Sequence, residues 1–182
     1  MQPQSNWLED AARARHENRL DDAYRAYTEA VPVLRDSHDR LGLIRALKGL
    51  GQIERDRGNV VAALANYEEA TGLARQENDP LLLAHTVRHV GDILRHLART
   101  AGAENCYTEA LALYRAHLDA PTLDLANTIR GMALLKDDLG ETGAAQTLWK
   151  EAHHLYASLG IQAGVAESKA RQASAADRNQ TR

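Results

Sequence analysis

The sequence predicts an all-α fold made of repeated helical hairpins. Three observations carry this prediction: a small-aromatic-small triplet occurs four times, a further small residue precedes each triplet by twelve positions, and apolar residues follow a helical period. The triplets are Ala23/Tyr27/Ala30, Ala63/Tyr67/Ala70, Ala103/Tyr107/Ala110 and Ala145/Trp149/Ala152, so successive copies begin 40, 40 and 42 residues apart.

The small residues have a mechanical interpretation. A small side chain on each of two consecutive helices lets the helices approach closely, and the aromatic fills the space beside them. One hairpin cannot bury its own apolar face, so we expect stacked hairpins and a closing helix with a polar outer side. The preceding small residues are Ala11, Gly51, Gly91 and Ala133.

Helical periodicity is clear in the third copy. One stripe is apolar and consists of Leu83, Val87, Val90, Gly91, Leu94 and Leu97; the opposite stripe is polar and consists of His85, Arg88, Asp92, Arg95 and His96. Asp79-Pro80 is expected to begin a helix as N-cap and first helical residue, and Ser5 or Asn6 to begin the first helix. The turns inside the hairpins are predicted at Asn18, Gly58-Asn59, Thr100-Ala101-Gly102 and Gly140.

These residues resemble a known signature. Leu50, Gly51, Gly58 and the triplet Ala63/Tyr67/Ala70 are similar to the tetratricopeptide repeat motif, and Trp7 falls at the aromatic position that opens the motif. The period of 40 to 42 exceeds the usual ~34 residues, as in the long-repeat subtype of kinesin light chains and polarity scaffolds. HEAT-like repeats have a similar period but lack this triplet. Asp10, where the other copies have Leu50, Val90 and Met132, indicates an N-terminal end that is frayed or covered by a partner.

The resemblance implies a right-handed α-solenoid of four hairpins and a closing helix. We expect a single repeat domain over residues 1–176, with hairpins at about 5–40, 41–80, 81–121 and 122–160, a closing helix at 163–176 and a polar tail at 177–182.

Composition narrows the class of protein. Aromatic residues make up 4% of the chain and Phe is absent, so the core must consist mainly of Ala, Leu and Val. The net charge of -3 does not favour broad binding to nucleic acid. The single cysteine, Cys106, excludes an intrachain disulfide framework and is interpreted as a packing residue. The first residues lack signal-peptide features and the longest apolar stretch, 60–65, cannot span a bilayer, so we expect a cytoplasmic protein away from membranes.

The resemblance also implies a concave groove lined by the first helix of each hairpin, in which a peptide lies. The candidate groove residues are Arg45, Lys48, Gln52, Arg55, His85, Arg88, His89, Asp92, Arg95, Asn127 and Arg130. Two cationic ladders run through the repeats, Arg15/Arg55/Arg95 and Lys48/Arg88/Arg130, and such a wall would attract carboxylates or phosphates. The alternative is ordinary pairing on a solvated face, since Asp92 is four residues after Arg88 and three before Arg95.

Chaperone-binding members of this family hold a peptide carboxylate with a fixed set of Lys, Asn and Arg residues. This chain has Lys48, but Gln52 and His89 stand where the Asn residues would be, and Asn127 and Gly131 where the basic pair would be. The resemblance therefore does not extend to recognition of chaperone tails.

The sequence contains one cluster with metal-ligand spacing and none of the common catalytic motifs. His85, His89 and Asp92 lie on adjacent turns at a spacing able to hold a first-row metal, although groove histidines that touch the partner are the simpler interpretation, and no metal is predicted. The sequence contains no Gly-rich phosphate loop, no Gly-x-Ser-x-Gly elbow and no calcium loop. We therefore expect a protein that is not an enzyme and needs no cofactor.

The sequence favours a scaffold that holds a protein or peptide partner, acidic in character, in a basic groove. Two alternatives stay open. The chain could self-associate as a homo-oligomer through the first helix around Trp7 and Leu8 or through the face of the last hairpins, or it could sense a small signalling peptide. Nucleic acid is not expected as a partner, because the basic ladders lack interleaved aromatics for base stacking.

Overall fold

The computed structural model describes residues 7–180, with side chains up to residue 174, and this part of the chain consists of helices and short connections. Its nine helices fit the predicted four hairpins and a closing helix. They are α1 (Trp7–His16), α2 (Leu20–Asp36), α3 (Arg40–Asp56), α4 (Val60–Ala74), α5 (Pro80–His96), α6 (Thr100–Arg115), α7 (Thr122–Asp138), α8 (Thr142–Ser158) and α9 (Gln162–Gln180). The predicted helix start at Ser5 or Asn6 lies outside the described residues. None of these helices combines the length and hydropathy that crossing a bilayer requires.

The chain divides into two compact units, Met1–Ile93 and Leu94–Arg182. We call them the N-terminal and the C-terminal unit and describe each by itself. In the N-terminal unit α1 packs on α2, α2 on α3 and α3 on α4; in the C-terminal unit α6 packs on α7, α7 on α8 and α8 on α9. The single repeat domain over residues 1–176 stays a prediction.

The repeated triplets form the core of both units, as predicted. All twelve triplet residues are at most 5% exposed, and Ala11 and Ala133 are as deeply buried. Gly51 shows why the preceding position must be small, since a Cβ atom there would lie 2.7 Å from the ring of Tyr67. Close helix approach beside an aromatic is therefore what the repeat pattern encodes.

The turns inside the hairpins recur at one repeat position, and each contains a residue whose backbone lies in the left-handed region. Asn18, Gly58, Ala98 and Gly140 have φ between 55° and 80°. The prediction of a turn at Thr100-Ala101-Gly102 was wrong, because Thr100 begins α6 and the turn is centred on Ala98, 40 residues after Gly58. Ala98 lies at the repeat position of Gly58, whereas Gly102 does not. The surrounding hairpin therefore holds even an alanine in the left-handed region of backbone conformation.

The start of α5 follows the prediction. The Asp79 side chain accepts hydrogen bonds from the backbone N–H groups of Leu81 (3.1 Å) and Leu82 (2.9 Å), and Pro80 is the first helical residue. Asp79 thus satisfies two of the amide donors that a helix start leaves without intrahelical partners.

Candidate functional site

A cleft of about 430 Å³ lies within the N-terminal unit. Its walls come from α1, α3 and α5, the first helices of three consecutive hairpins, and α2 and α4 each contribute one tyrosine. The lining residues are Leu8, Glu9, Ala12, Arg15, Tyr27, Arg45, Lys48, Gly49, Gln52, Tyr67, His85 and His89. We refer to this set as the cleft.

Cations dominate the charged residues of the cleft. Arg15 of α1 and Arg45 and Lys48 of α3 face one carboxylate, Glu9. Burial raises the pKa of the Tyr27 hydroxyl, and the nearby charge of Arg15 opposes that rise. Within residues 7–180, Arg45 is exposed and forms neither a hydrogen bond nor an ion pair with a described residue. The walls therefore carry a net positive charge that is concentrated in a concave surface.

The tyrosines of the first two triplets contribute to both core and cleft. Tyr27 and Tyr67 are 5% and 2% exposed, and both line the cleft. Burial raises the pKa of Tyr67 to about 12, so its hydroxyl keeps its proton at neutral pH and can donate a hydrogen bond. Core packing thus fixes two of the polar groups at the site.

His89 occupies an unusual position in the repeat. It lies 22 residues after Tyr67, as Gly49 lies 22 after Tyr27, and its ring stacks on Tyr67 with the centroids 4.7 Å apart. At Gly49 an added Cβ atom would overlap the ring of Tyr27. The third hairpin has thus replaced a packing glycine with a polar ring that lines the cleft.

The tautomer of His89 follows from its contacts. Nη2 of Arg88 lies 2.8 Å from Nε2 of His89, and because a guanidinium can only donate, Nε2 must accept and Nδ1 must carry the hydrogen. Nδ1 is buried and has no hydrogen-bond acceptor among the described residues. The nearest carboxylate oxygen, on Asp92, is 3.7 Å away, which is too long for a hydrogen bond. His89 is 7% exposed and therefore carries a buried N–H donor whose hydrogen bond is not made within this part of the chain.

His85 shares this environment one turn earlier. Its ring lies 4.7 Å from that of His89, and its Nδ1 is also buried without a hydrogen-bond partner in the described residues. Burial, together with the charges of Lys48 and Arg88, lowers the pKa of His85 to about 3. Burial and the charge of Arg88 also hold the pKa of His89 well below its usual value. Both imidazoles are therefore neutral at physiological pH.

The structure brings five of the predicted groove residues into the cleft: Arg45, Lys48, Gln52, His85 and His89. Arg88 is 8% exposed and donates to Asp92 at 3.0 Å, so these two residues form the intrahelical pair that is the alternative to a ligand-binding role for Arg88. Nη2 of Arg55 lies 3.7 Å from Oδ1 of Asp56. Arg55, Arg88 and Asp92 thus surround the buried histidines rather than line the cleft.

The other three predicted groove residues belong to the C-terminal unit. Arg130 donates to both carboxylate oxygens of Glu167, at 2.6 and 2.9 Å, and Arg95 donates to Asp138 at 2.9 Å. Asn127 accepts a hydrogen bond of 2.8 Å from the Tyr156 hydroxyl. Each of these three side chains is therefore hydrogen-bonded to another side chain of the C-terminal unit.

No group of three His, Cys, Asp or Glu side chains in the described part of the chain is arranged to hold a metal ion. His85, His89 and Asp92 have a spacing in sequence that fits a metal, but two of them bind a side chain of the protein itself. The Arg88 guanidinium binds both Nε2 of His89 and the Asp92 carboxylate. The cluster is a hydrogen-bonded network that includes a cation of the chain itself.

Sequence reasoning missed seven residues that line the cleft. These are Leu8, Glu9, Ala12, Arg15, Tyr27, Gly49 and Tyr67. Arg15 was assigned to a ladder but not to the site, and the tyrosines were assigned to the core alone. The signal that could have pointed to the tyrosines is the comparison of Gly49 with His89 at one repeat position, because a polar ring in α5 replaces a glycine that packs against the Tyr27 ring.

Comparison with known proteins shows the fold through structure rather than sequence. No protein-family model matches the chain, and no curated protein matches it in sequence. Solved structures do match. A signal transduction ATPase with numerous domains from Pyrococcus horikoshii, which has a tetratricopeptide repeat sensor, superposes with a TM-score of 0.81 at 16% identity, over 94% of this chain and 26% of that one. The apo form of RapI gives 0.82 at 12% identity, over 91% of this chain and 60% of that one.

A third neighbour matches over most of its own length. The nearly identical TPR-like repeats of a putative kinesin light chain from Podosopora anserina give a TM-score of 0.76 at 13% identity, over 100% of this chain and 90% of that one. The chain spans about a quarter of the ATPase and 60% of RapI. The predicted likeness to kinesin-light-chain repeats is confirmed, and the chain has the fold of tetratricopeptide-type repeat arrays.

Proposed function

We propose that the chain is a non-enzymatic scaffold that holds a protein or peptide partner, and that an acidic or carboxylate-bearing segment of this partner lies in the cleft. The observation that carries the proposal is the composition of the cleft: three cations against one carboxylate, above two tyrosines and two neutral histidines. Tyr27, Tyr67 and His89 are buried, and a hydrogen bond from a buried group to an anion is stronger than the same bond in bulk water.

The arrangement supports binding rather than turnover. Burial leaves His85 and His89 neutral, and their depressed pKa values make them weak bases. Among the described residues that line the cleft, none is a cysteine, a serine or a threonine. The cleft contains many hydrogen-bond donors and a single carboxylate, which suits the capture of an anion.

The proposal is tested by charge reversal with a matched control. Arg45→Glu combined with Lys48→Glu changes the cleft, whereas Lys150→Glu combined with Lys169→Glu makes the same change in net charge on exposed positions of α8 and α9. Fluorescence anisotropy would follow acidic, neutral and basic peptide libraries of one length. We expect acidic peptides to bind preferentially, to weaken as salt rises, and to lose at least ~100-fold in affinity on cleft reversal only. Equal binding by both reversed variants would refute the assignment of the cleft.

Self-association is a second candidate, because apolar side chains are exposed at the start of the N-terminal unit. Trp7 is 37% and Leu41 48% exposed, and both line a second depression formed by α1, α2 and α3. Light scattering over a concentration series tests this candidate. A mass that stays at 20.0 kDa up to millimolar concentration would rule it out. Sensing of a small peptide, the third role considered from the sequence, would use the cleft and would respond to the same charge reversal.

A further inference from the structure

A depression of about 500 Å³ lies beside the cleft in the N-terminal unit. It is formed by the start of α1, the C-terminal part of α2, the turn that follows and the start of α3. Because the turn residues Ser37 and Asp39 contribute to it, it lies outside the groove of first helices that the repeat resemblance implies. We call it the depression, and its apolar lining consists of Trp7, Leu8, Ala30, Val33, Leu34 and Leu41.

The depression and the cleft share part of their walls. Leu8, Glu9 and Arg45 line both, so an extended segment bound in the cleft can continue into the depression. Arg45 is exposed and bonds to no described residue, which leaves its guanidinium open to a carboxylate at this junction. Glu9 is also exposed and can accept a backbone N–H of the segment.

Away from the junction, the polar side chains of the depression are bonded within the turn itself. Oγ of Ser37 donates to the carbonyl oxygen of Leu34 at 3.2 Å, and the Asp39 carboxylate accepts the N–H of Gly42 at 2.9 Å. The surface that stays open to a ligand is therefore mainly apolar. Trp7 and Leu41 are 37% and 48% exposed, and an apolar ligand side chain that covers them would be stabilised by the area removed from water.

The repeat shows what Trp7 lacks. Its counterpart in the second hairpin is Leu47, which is 2% exposed and belongs to a buried cluster against which Leu34 of the preceding helix packs. No described helix precedes α1, so Trp7 has no such neighbour. An apolar side chain supplied by a ligand would take the place of that contact.

A stacked second copy of the chain is a poorer occupant. Asp10 and Arg13 stand where the second hairpin has Leu50 and Ile53, which cluster with the core of the first hairpin. Asp10 and Arg13 pair with each other at 3.3 Å. A copy stacked on α1 as a further hairpin would bury these charges, whereas a single segment that enters the depression leaves them in water.

We propose that the depression binds a large apolar side chain of the same partner segment whose acidic residue lies in the cleft. This inference rests on the proposed function and deepens it by naming a second feature of the partner. The segment carries an acidic residue that reaches Arg45 and, close to it in sequence, a residue such as leucine. Salt screens the first attraction but does not weaken the burial of the second side chain.

The experiment uses the full chain and three peptide libraries of one length that are randomised elsewhere. The first fixes a central glutamate and a neighbouring leucine, the second replaces this leucine with serine, and the third keeps the leucine but replaces the glutamate with glutamine. Leucine is placed on either side of the centre in turn, and affinity is measured by fluorescence anisotropy. We expect glutamate with leucine to bind at least ~10-fold tighter than glutamate with serine, and this ratio to persist as salt rises.

A matched pair of substitutions locates the apolar contact. Leu41→Ser changes a side chain that is 48% exposed, so the variant should fold normally. Leu123→Ser is the control, because Leu123 lies at the corresponding repeat position at the start of α7 and is 42% exposed. We expect Leu41→Ser alone to lower the affinity for the first library by ~5-fold or more and to leave the second unchanged. Equal affinities of the two variants for the first library would overturn the inference.

The library results separate the two proposals. If leucine adds nothing to glutamate, the inference fails while the proposed function stands. If none of the three libraries binds, the proposed function fails with it. If leucine with glutamine binds as tightly as leucine with glutamate, the acidic residue contributes nothing and both proposals fail.

The other possible occupants of the depression give results of their own. If light scattering shows self-association that Leu41→Ser abolishes and Leu123→Ser does not, a second copy occupies the depression and the inference is overturned. A variant without residues 1–6 tests the chain's own first residues. A leucine preference that appears only in this variant would assign the depression to those residues and would also overturn the inference.

Discussion

The two units use corresponding cations in opposite ways. In the N-terminal unit, Arg45 and Lys48 line a cleft that contains one carboxylate. In the C-terminal unit, Arg130, which corresponds to Lys48 in the repeat, is bound through two hydrogen bonds to Glu167, and Arg95 is bound to Asp138. Repeat position alone therefore does not decide whether a cation can bind a ligand. The carboxylates that the neighbouring helices supply decide it.

The aromatic residues of the triplets also differ between the units in whether their polar groups border the cleft or bond to the protein itself. Tyr27 and Tyr67 border the cleft. Trp149, which occupies their position in the fourth triplet, donates its indole N–H to Asp137 at 2.8 Å, and the Arg171 guanidinium lies 5.9 Å from its ring centroid. The C-terminal unit thus pairs its triplet tryptophan with one of its own carboxylates, whereas the buried Nδ1 atoms of His85 and His89 in the N-terminal unit have no hydrogen-bond partner among the described residues.

The largest difference should appear in the dependence of stability on pH. His85 and His89 have depressed pKa values in the folded chain, so below about pH 6.5 the unfolded chain takes up protons that the folded chain does not. The free energy of unfolding should therefore fall as pH falls from 6.5 toward 5, by about 1 kcal/mol per pH unit at most for each histidine. Urea unfolding at pH 7, 6 and 5 measures this slope.

The matched variants make the pH experiment specific. His85→Gln combined with His89→Gln should flatten the slope, while His154→Gln, at an exposed position of α8, should leave it as in the parent chain. A slope that survives in the double variant would show that other groups titrate and that the two histidines are not held neutral.

Glycine substitutions test whether the two units share one packing rule. A Cβ atom at Gly49 would overlap the ring of Tyr27, and one at Gly131 would lie 2.5 Å from the ring of Tyr107. We expect Gly49→Ala and Gly131→Ala each to lower the free energy of unfolding by about 1–3 kcal/mol, because the ring or the helix must move. Denaturant titration followed by circular dichroism measures both.

Gly72→Ala and Gly143→Ala are the controls in the two units. Nothing lies within 4 Å of an added Cβ atom at either position, and both residues are helical. These variants should stabilise the chain by up to ~1 kcal/mol through helix propensity. Destabilisation of the same size at all four glycines would mean that the tyrosine contacts do not set the spacing of the helices.

A smaller difference in the free energy of unfolding is expected between variants of Arg130 and Arg45. Arg130→Gln removes a bidentate pair that is partly exposed, so it should lower the free energy of unfolding by ~1 kcal/mol or less. Arg45→Gln should change it by no more than ~0.5 kcal/mol, because the side chain is exposed and bonds to no described residue. Thermal unfolding of the two variants side by side compares them, and a larger loss at Arg45 would contradict the contrast between the units.

The sequence predicted the fold well because the fold rests on local repetition. Triplets such as Ala63/Tyr67/Ala70 repeat at a fixed spacing, and helices built on them bury the same positions each time. The turn at Ala98 escaped prediction because alanine has no preference for the left-handed region, and the requirement comes from the hairpin around it.

The candidate site was only partly predictable, since its key contacts are not local. The partner of Arg130 is 37 residues away on another helix, which no periodicity reveals. Arg88 lies on the polar stripe of α5, yet Asp92 and His89 hold its side chain in the interior. Helical spacing identifies the face on which a residue lies, but the packing of neighbouring helices determines whether that face is open.

The most direct test of the account is to observe the cleft histidines while a ligand binds. Side-chain nitrogen NMR during titration with the tightest-binding acidic peptide would resolve the imidazole signals. The account predicts that the Nδ1–H signal of His89 and the ring-nitrogen signals of His85 shift, while His153 and His154 of the C-terminal unit keep their signals. Binding that shifts His153 and His154 and leaves His85 and His89 unchanged would contradict it.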